Sequence, residues 1–207
     1  MNRGVRSKTK RTADPPCSIS VGICWYNDET VFRCIESIPK DWNIIIAYGL
    51  FRNSKLKEDL SQLEKIKLIP NVKVIYADGE TPEYKIRDLY LRNSKGMDIL
   101  IIIDSDEYIS ELKDEFYDNI KDLGIGLYGI NVKYDVIREW AKIIVNPFMF
   151  HYEGSHKLFK ALGQTYPINR YIKLINGLTL THDDSVRNSM VKDSIEEYQK
   201  QMWVNGE

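Results

Sequence analysis

The sequence predicts an α/β domain with a mostly parallel central sheet flanked by helices. Two observations predict it. Short runs rich in Ile and Val recur at residues 18–25, 43–48, 72–76 and 98–103, and segments of helical periodicity separate them. The connections are short, so each strand returns to the next through a helix, which makes a parallel sheet covered on both faces. Composition agrees. A chain of 207 residues, 43% hydrophobic and 29% charged with a net charge of -1, describes one globular domain with a sizeable core.

Residues 1–16 stand apart from this pattern. Arg3, Arg6, Lys8, Lys10 and Arg11 meet no acid before Asp14, and Pro15-Pro16 closes the stretch. The expectation is a flexible basic arm whose contacts are weak ones with anionic surfaces. The first strand, 18–25, follows. Asn27-Asp28 supplies N-cap chemistry, and Val31, Cys34, Ile35 and Ile38 repeat at helical spacing until Pro39. After the second strand, 43–48, Leu56, Leu60, Leu63 and Ile66 mark a helix closed by Pro70. Residues 72–76 form the third strand. Thr81-Pro82 opens a third helix with Pro at its first position, ending before Gly96. The fourth strand, 98–103, is apolar on both faces. Beyond Asp104 the pattern changes. It predicts a helix near 110–121, strands at 127–136 and 141–145, an irregular aromatic-rich stretch at 147–171, a short strand at 178–181 and a charged helix at 186–203.

Several classes are excluded. No apolar run reaches the roughly 18 residues of a membrane span, and no apolar segment follows the basic N-terminus as a secretory signal requires. The near-neutral charge balance argues against a specific nucleic-acid binder. Cys17 and Cys24 stand at the two ends of one predicted strand, too far apart for a disulfide. No CxxC or HxxxH pair offers a zinc site. Buried free thiols in a soluble, cytoplasmic protein are the expectation.

The strongest chemical feature is Asp104-Ser105-Asp106-Glu107, directly after the fourth strand. Ligands of open α/β sheets bind beyond the carboxyl ends of the strands. Two carboxylates two residues apart, with a third beside them, do not readily ionise together without a cation. Hard oxygen donors of this kind suit Mg²⁺ or Mn²⁺ bridging phosphates. His182, at the end of a predicted strand and before Asp183-Asp184, would complete such a site. His151, Glu153, Gly154 and His156 place acid, imidazole and glycine in one segment suited to a catalytic or acceptor-binding role. Trp140, Phe148, Phe150, Tyr152, Phe159, Tyr166 and Tyr171 read mainly as core, although aromatic faces also stack on sugars and bases.

The ordered set of segments carries a resemblance. The strand at 18–25, then Asn27, then Arg33-Cys34-Ile35-Glu36-Ser37-Ile38 resembles the opening of family 2 glycosyltransferases of the GT-A fold, a Rossmann-like fold of nucleotide-diphospho-sugar transferases. Arg92-Asn93, the apolar strand and Asp104-Ser105-Asp106-Glu107 are similar to the family's later signature. Leu158-Phe159-Lys160 and Thr181-His182-Asp183-Asp184 sit where relatives carry an acceptor-side patch and a late histidine. The resemblance implies a single GT-A domain over 17–207, with a nucleotide-binding half at 17–107 and an acceptor-side half at 108–207. It implies a metal-dependent transfer of a sugar from a nucleoside-diphosphate sugar to an acceptor hydroxyl, with inversion. The cofactor would be Mn²⁺ or Mg²⁺, and the acceptor stays open among glycan, protein and lipid. Asp104 and Asp106 would contact the metal and the donor's ribose and diphosphate, and His182 would be a further ligand. Trp25 and Asn27 would border the base. Where the family places a base-binding acid after the second strand, this chain has Ala47-Tyr48-Gly49, so Tyr48 would stack instead and Asp78 supply the acid. The catalytic base would be Glu153, with Asp135 second and Glu139 and Asp183 further choices.

Other classes compete. A haloacid-dehalogenase-like phosphatase would use Asp104 as nucleophile, but three strand–helix units precede it and Tyr108 stands where that motif has Thr. A nucleotidyltransferase lacks its glycine-rich phosphate loop. A non-catalytic nucleotide-binding protein draws support from the altered turn after the second strand.

Overall fold

A computed structural model describes residues 17–26, 28–49, 60–78, 81–152, 158–160, 165–166 and 173–183. Its first half contains β1 (Ile19–Trp25), α1 (Thr30–Ser37), β2 (Asn43–Tyr48), α2 (Leu60–Lys67), β3 (Val72–Tyr76), α3 (Glu83–Arg92) and β4 (Ile99–Asp104). These are the seven elements anticipated there. The second half contains β5 (Glu107–Leu112), α4 (Asp114–Ile120), β6 (Gly126–Lys133), β7 (Ile137–Val145), β8 (Phe150–Tyr152), β9 (Leu158–Lys160), β10 (Thr165–Tyr166) and β11 (Leu174–His182).

Alternation along the central strands builds two cores. Ile19, Val21, Ile23 and Trp25 of β1, with Ile99, Ile101 and Ile103 of β4, face α1, α2 and α4. Leu100 and Ile102 of β4, with Ile45 and Ala47 of β2, face α3 through Ile86, Tyr90 and Leu91. Tyr90 lies so close to β1 that a Cβ on Gly22 would stand 2.9 Å from its ring, so only glycine fits there. The Tyr90 hydroxyl hydrogen-bonds that of Tyr152 at 2.8 Å, and Asp88 accepts the Tyr152 amide at 2.8 Å. These contacts fasten β8 to α3.

The sheet runs β3-β2-β1-β4-β7-β6-β11-β5 and is mixed, which corrects the expectation of a mostly parallel one. The first four strands pair in parallel. Beyond β4, the β4–β7, β7–β6 and β11–β5 pairs are antiparallel, and β6–β11 is parallel. The reason is connection length. β6 and β7 are joined by three residues, and a parallel pair needs a crossover of a dozen or more. The helix expected near 110–121 is shorter, because residues 107–112 alternate and pair with β11 as a strand. The stretch at 147–171 holds a 3-10 turn at Pro147–Met149 and a small sheet of order β10-β9-β8. The expected last strand extends back to Leu174.

Cys24 and Cys34 are buried, Cys17 is partly so, and all three thiols are free. Among the described residues no helix is long and apolar enough to cross a membrane. The expected basic arm at 1–16 and the charged helix at 186–203 lie outside the described residues.

Candidate functional site at the carboxyl edge of the sheet

From β1 the chain builds outward through β2 to β3, then returns to place β4 on the other side of β1. Such a reversal is where ligands of open α/β sheets bind. Asp28 and the turn after β4 meet there. The Asp28 carboxylate, buried, accepts from the Ser105 hydroxyl at 2.7 Å and from the Thr30 hydroxyl. Its carbonyl accepts from the Trp25 indole at 2.9 Å. One acid thus ties the end of β1 and the start of α1 to the turn bearing Asp104 and Asp106.

Asp104 sits in a ladder of alternating charge. Its Oδ1 accepts from Arg87 of α3 at 2.7 Å, and its Oδ2 from Lys142 of β7 at 2.7 Å. Arg87 also donates to Glu83 at 2.7 Å, one helical turn earlier. Lys142 also donates to Glu107 Oε2 at 2.8 Å, the oxygen that accepts the Asp104 amide at 2.9 Å. Burial opposes ionisation of Asp104, but the charges of Arg87 and Lys142 outweigh it and hold the carboxyl well below the usual carboxylate range. Burial lowers the Lys142 ammonium, yet Asp104 and Glu107 more than restore it. Glu107 goes the other way. Its side chain is fully enclosed, and burial pushes the carboxyl up despite Lys142. Its second oxygen, Oε1, has no hydrogen-bond partner.

Asp106, on the same turn, faces different surroundings. Its Oδ2 lies 3.4 Å from His182 Nε2, longer than a good hydrogen bond. The Asp183 amide donates to the Asp106 carbonyl at 2.7 Å, which fixes the end of β11 against the turn. Asp183 is ion-paired with Arg33 of α1, whose guanidinium stands 3.9 Å over the Tyr108 ring. The Tyr134 ring, from the β6–β7 hairpin, lies 4.8 Å from the His182 ring.

The structure brings Asp104, Asp106 and His182 to one edge, with Asp183 beside them. Asp135 is exposed in the hairpin next to Tyr134, and Glu139 is exposed on β7. Trp25 and Tyr48 are buried with ring centroids 4.9 Å apart, so both serve the core. Beside them Tyr76 reaches the surface, 44% exposed and with its ring centroid 5.9 Å from that of Tyr48. Asp78 is exposed, and its carbonyl accepts from Thr81. Asn27, Glu153, His156 and Asp184 lie outside the described residues.

Arg92, the residue matched to the family's Arg-Asn pair, points away and pairs with Asp88. Arg87 is the arginine that reaches the site. Sequence reasoning missed it, and missed Lys142. The signal for Lys142 was present, because a lysine inside the apolar run 141–145 is buried only when a carboxylate answers it.

The divalent cation implied by the resemblance fits one part of this edge. Among the described residues no three His, Cys, Asp or Glu side chains gather closely enough to hold a metal by themselves. The Asp104 oxygens are already on two cations. Asp106 and His182 offer one carboxylate and one imidazole, a donor set suited to an ion that takes its other ligands from phosphate and water.

No family model and no curated protein matches the chain. Solved structures do. S. aureus TarS 1-349, also solved with UDP-GlcNAc and with UDP, aligns at 19% identity and a TM-score of 0.39 over 56% of this chain and 35% of that one. GalNAc-T7, solved with UDP, GalNAc and Mn²⁺, aligns at 20% identity and a TM-score of 0.42 over 62% of this chain and 25% of that one. The chain therefore spans about a third or less of the length of these structures.

Proposed function

We propose that the carboxyl edge binds a nucleoside-diphosphate sugar and transfers its sugar to an acceptor hydroxyl, with inversion and with a divalent cation held between Asp106 and His182. The observation that carries this reading is the meeting of the β1 and β4 ends at the strand-order reversal, where one turn presents a clamped carboxylate and an imidazole-facing one.

Arg87 and Lys142 keep Asp104 ionised and fixed in direction. Each of its oxygens retains a further lone pair, so Asp104 accepts hydrogen bonds from the donor's ribose hydroxyls without losing its clamp. Bound at Asp106 and His182, Mn²⁺ or Mg²⁺ would offset the charge that develops on the departing diphosphate. Tyr134 braces the His182 ring. Asp135, beside it on the hairpin, takes the proton from the acceptor hydroxyl as that oxygen attacks the anomeric carbon. Glu153, the first choice in the sequence, lies outside the described residues; Asp135 is taken as the base here because it neighbours Tyr134, whose ring lies against His182. The base of the nucleotide extends toward the ends of β2 and β3, where Tyr76 and Asp78 are exposed.

Calorimetric titration with uridine, guanosine and adenosine diphosphates tests the reading. It expects one of them to bind in Mn²⁺ and to lose affinity when EDTA replaces the metal. Affinity indifferent to EDTA would contradict it. Metal-dependent hydrolysis of the matching nucleotide sugar would then separate an enzyme from a pure binder.

A further inference from the structure

β7 runs antiparallel to β4, so its first residues lie toward the carboxyl end of β4. The β4–β7 pairing covers only Ile99–Ile101 with Ile143–Val145, and β7 starts at Ile137. The β6–β7 hairpin therefore projects past the edge that holds the candidate site. Its turn is closed by the Tyr134 amide donating to the Val136 carbonyl at 3.1 Å. At the tip, Val136 is 58% and Ile137 63% exposed, and Tyr134 is 36% exposed with one face toward His182. Among the described residues, three large side chains with apolar surface thus stand exposed within four positions of this tip.

Its surroundings say what it meets. Lys133 and Arg138 flank the tip, and the Arg138 guanidinium lies 5.8 Å over the Tyr134 ring. Asp135 and Glu139 balance those two cations, so the hairpin carries no net charge to select an anionic partner. A stable protein interface buries about 800 Å² on each partner, far more than two aliphatic side chains and part of a ring provide. A lipid interface needs no such area. Aliphatic side chains enter the acyl boundary, a tyrosine sits at headgroup level, and long cationic side chains reach back to water.

We propose that the β6–β7 hairpin seats its tip in the interface of a lipid bilayer, with Val136 and Ile137 inserted and Tyr134 at the headgroup level. The carboxyl edge then faces the membrane, and the acceptor is presented from the bilayer. That last step rests on the glycosyl-transfer reading, whereas the lipid contact stands on the hairpin alone.

Co-sedimentation of the full chain with phosphatidylcholine vesicles tests it. These vesicles have no net charge, so the basic residues at 1–16 gain nothing electrostatically. Wild type should sediment with the lipid. The double variant Val136→Ser, Ile137→Ser should bind about tenfold or more weakly, while retaining its thermal unfolding midpoint and its nucleoside-diphosphate affinity. Ile137→Trp should bind more strongly than wild type, a gain that a folding defect does not mimic. Wild type left in the supernatant, or equal sedimentation of wild type and the double variant, would overturn the proposal. Self-association lost in the double variant, without vesicle binding, would assign the tip to a second copy and overturn it as well. Failure of the nucleotide titration with intact vesicle binding would remove the transfer reading and leave the lipid contact standing.

Discussion

Asp104 and Asp106 lie two residues apart on one turn, yet they meet different neighbours. Asp104 is answered at 2.7 Å on each oxygen by a cation from a different element, α3 on one side and β7 on the other. Asp106 meets an imidazole at 3.4 Å. The difference teaches that an acidic pair after a buried strand need not act as a pair. The first acid is committed to holding the sheet and the helix together in a fixed geometry. The second, itself buried, stands beside the His182 ring. Asp135, exposed on the hairpin, is the acid proposed to do the chemistry.

The sharpest way to break this division of labour is at Asp135. A general base contributes about 10²- to 10⁴-fold to rate. Asp135→Asn should therefore depress sugar transfer by at least about two decades and leave nucleotide affinity unchanged. Transfer at the wild-type rate would move the base elsewhere, with Glu153→Gln as the next variant to assay.

Lys142→Met strikes the clamp itself. It leaves Glu107 enclosed without its ammonium and takes one of two cations from the part-buried Asp104, and removing one partner of a buried ion pair costs about 3–5 kcal/mol. Urea unfolding should record that loss. The double variant Lys142→Met, Glu107→Gln should recover part of it, because the enclosed charge at 107 goes with its partner. A single-variant loss within about 0.5 kcal/mol, as at an ordinary surface site, would mean that the clamp holds nothing.

His182→Ala should weaken metal-dependent nucleotide binding by about 10–100-fold, the usual effect of losing a group that supports a metal site. Equal affinities for mutant and wild type in excess Mn²⁺ would return the imidazole to a packing role against Tyr134.

The smallest effects are in the pH dependence of stability, and the two acids of the ladder give opposite signs. Glu107 titrates above its ordinary range in the folded protein, chiefly through burial. Its contribution is complete below the unfolded value of about 4.3 and is lost as pH rises toward the folded value. Asp104 titrates below its ordinary range, so its contribution is present above about 3.9 and is lost as pH falls. Urea midpoints measured across this span should show Glu107→Gln flattening the decline toward neutral pH, and Asp104→Asn flattening the decline into acid. Identical profiles for Glu107→Gln and wild type would show that burial does not shift this group.

Much of the fold was legible in the sequence, for definite reasons. β1, β2 and β4 are apolar enough to lie inside on both faces, β3 is an apolar edge strand, and Pro39, Pro70 and Pro82 punctuate the helices between them. β5 was not legible, because Glu107-Tyr108-Ile109-Ser110-Glu111-Leu112 becomes a strand only by pairing with β11, far away in the chain. The mixed sheet came from a different cause, the short connection that makes β6 and β7 antiparallel. In the site, Asp104, Asp106 and His182 were legible because strand-end acids and a late histidine are local signals. Arg87 was hidden, since on a helix it looks like any solvated arginine until α3 packs against the end of β4. Lys142 was readable as an oddity, but its partners were not.

Mn²⁺ titration of Asp104→Asn and Asp106→Asn, followed by the paramagnetic signal of the free ion with nucleoside diphosphate present, tests the central claim most directly. If the two acids divide their roles as proposed, Asp106→Asn loses the Mn²⁺ site and Asp104→Asn keeps it at nearly the wild-type affinity. Equal loss in both variants, or a loss confined to Asp104→Asn, would contradict the division.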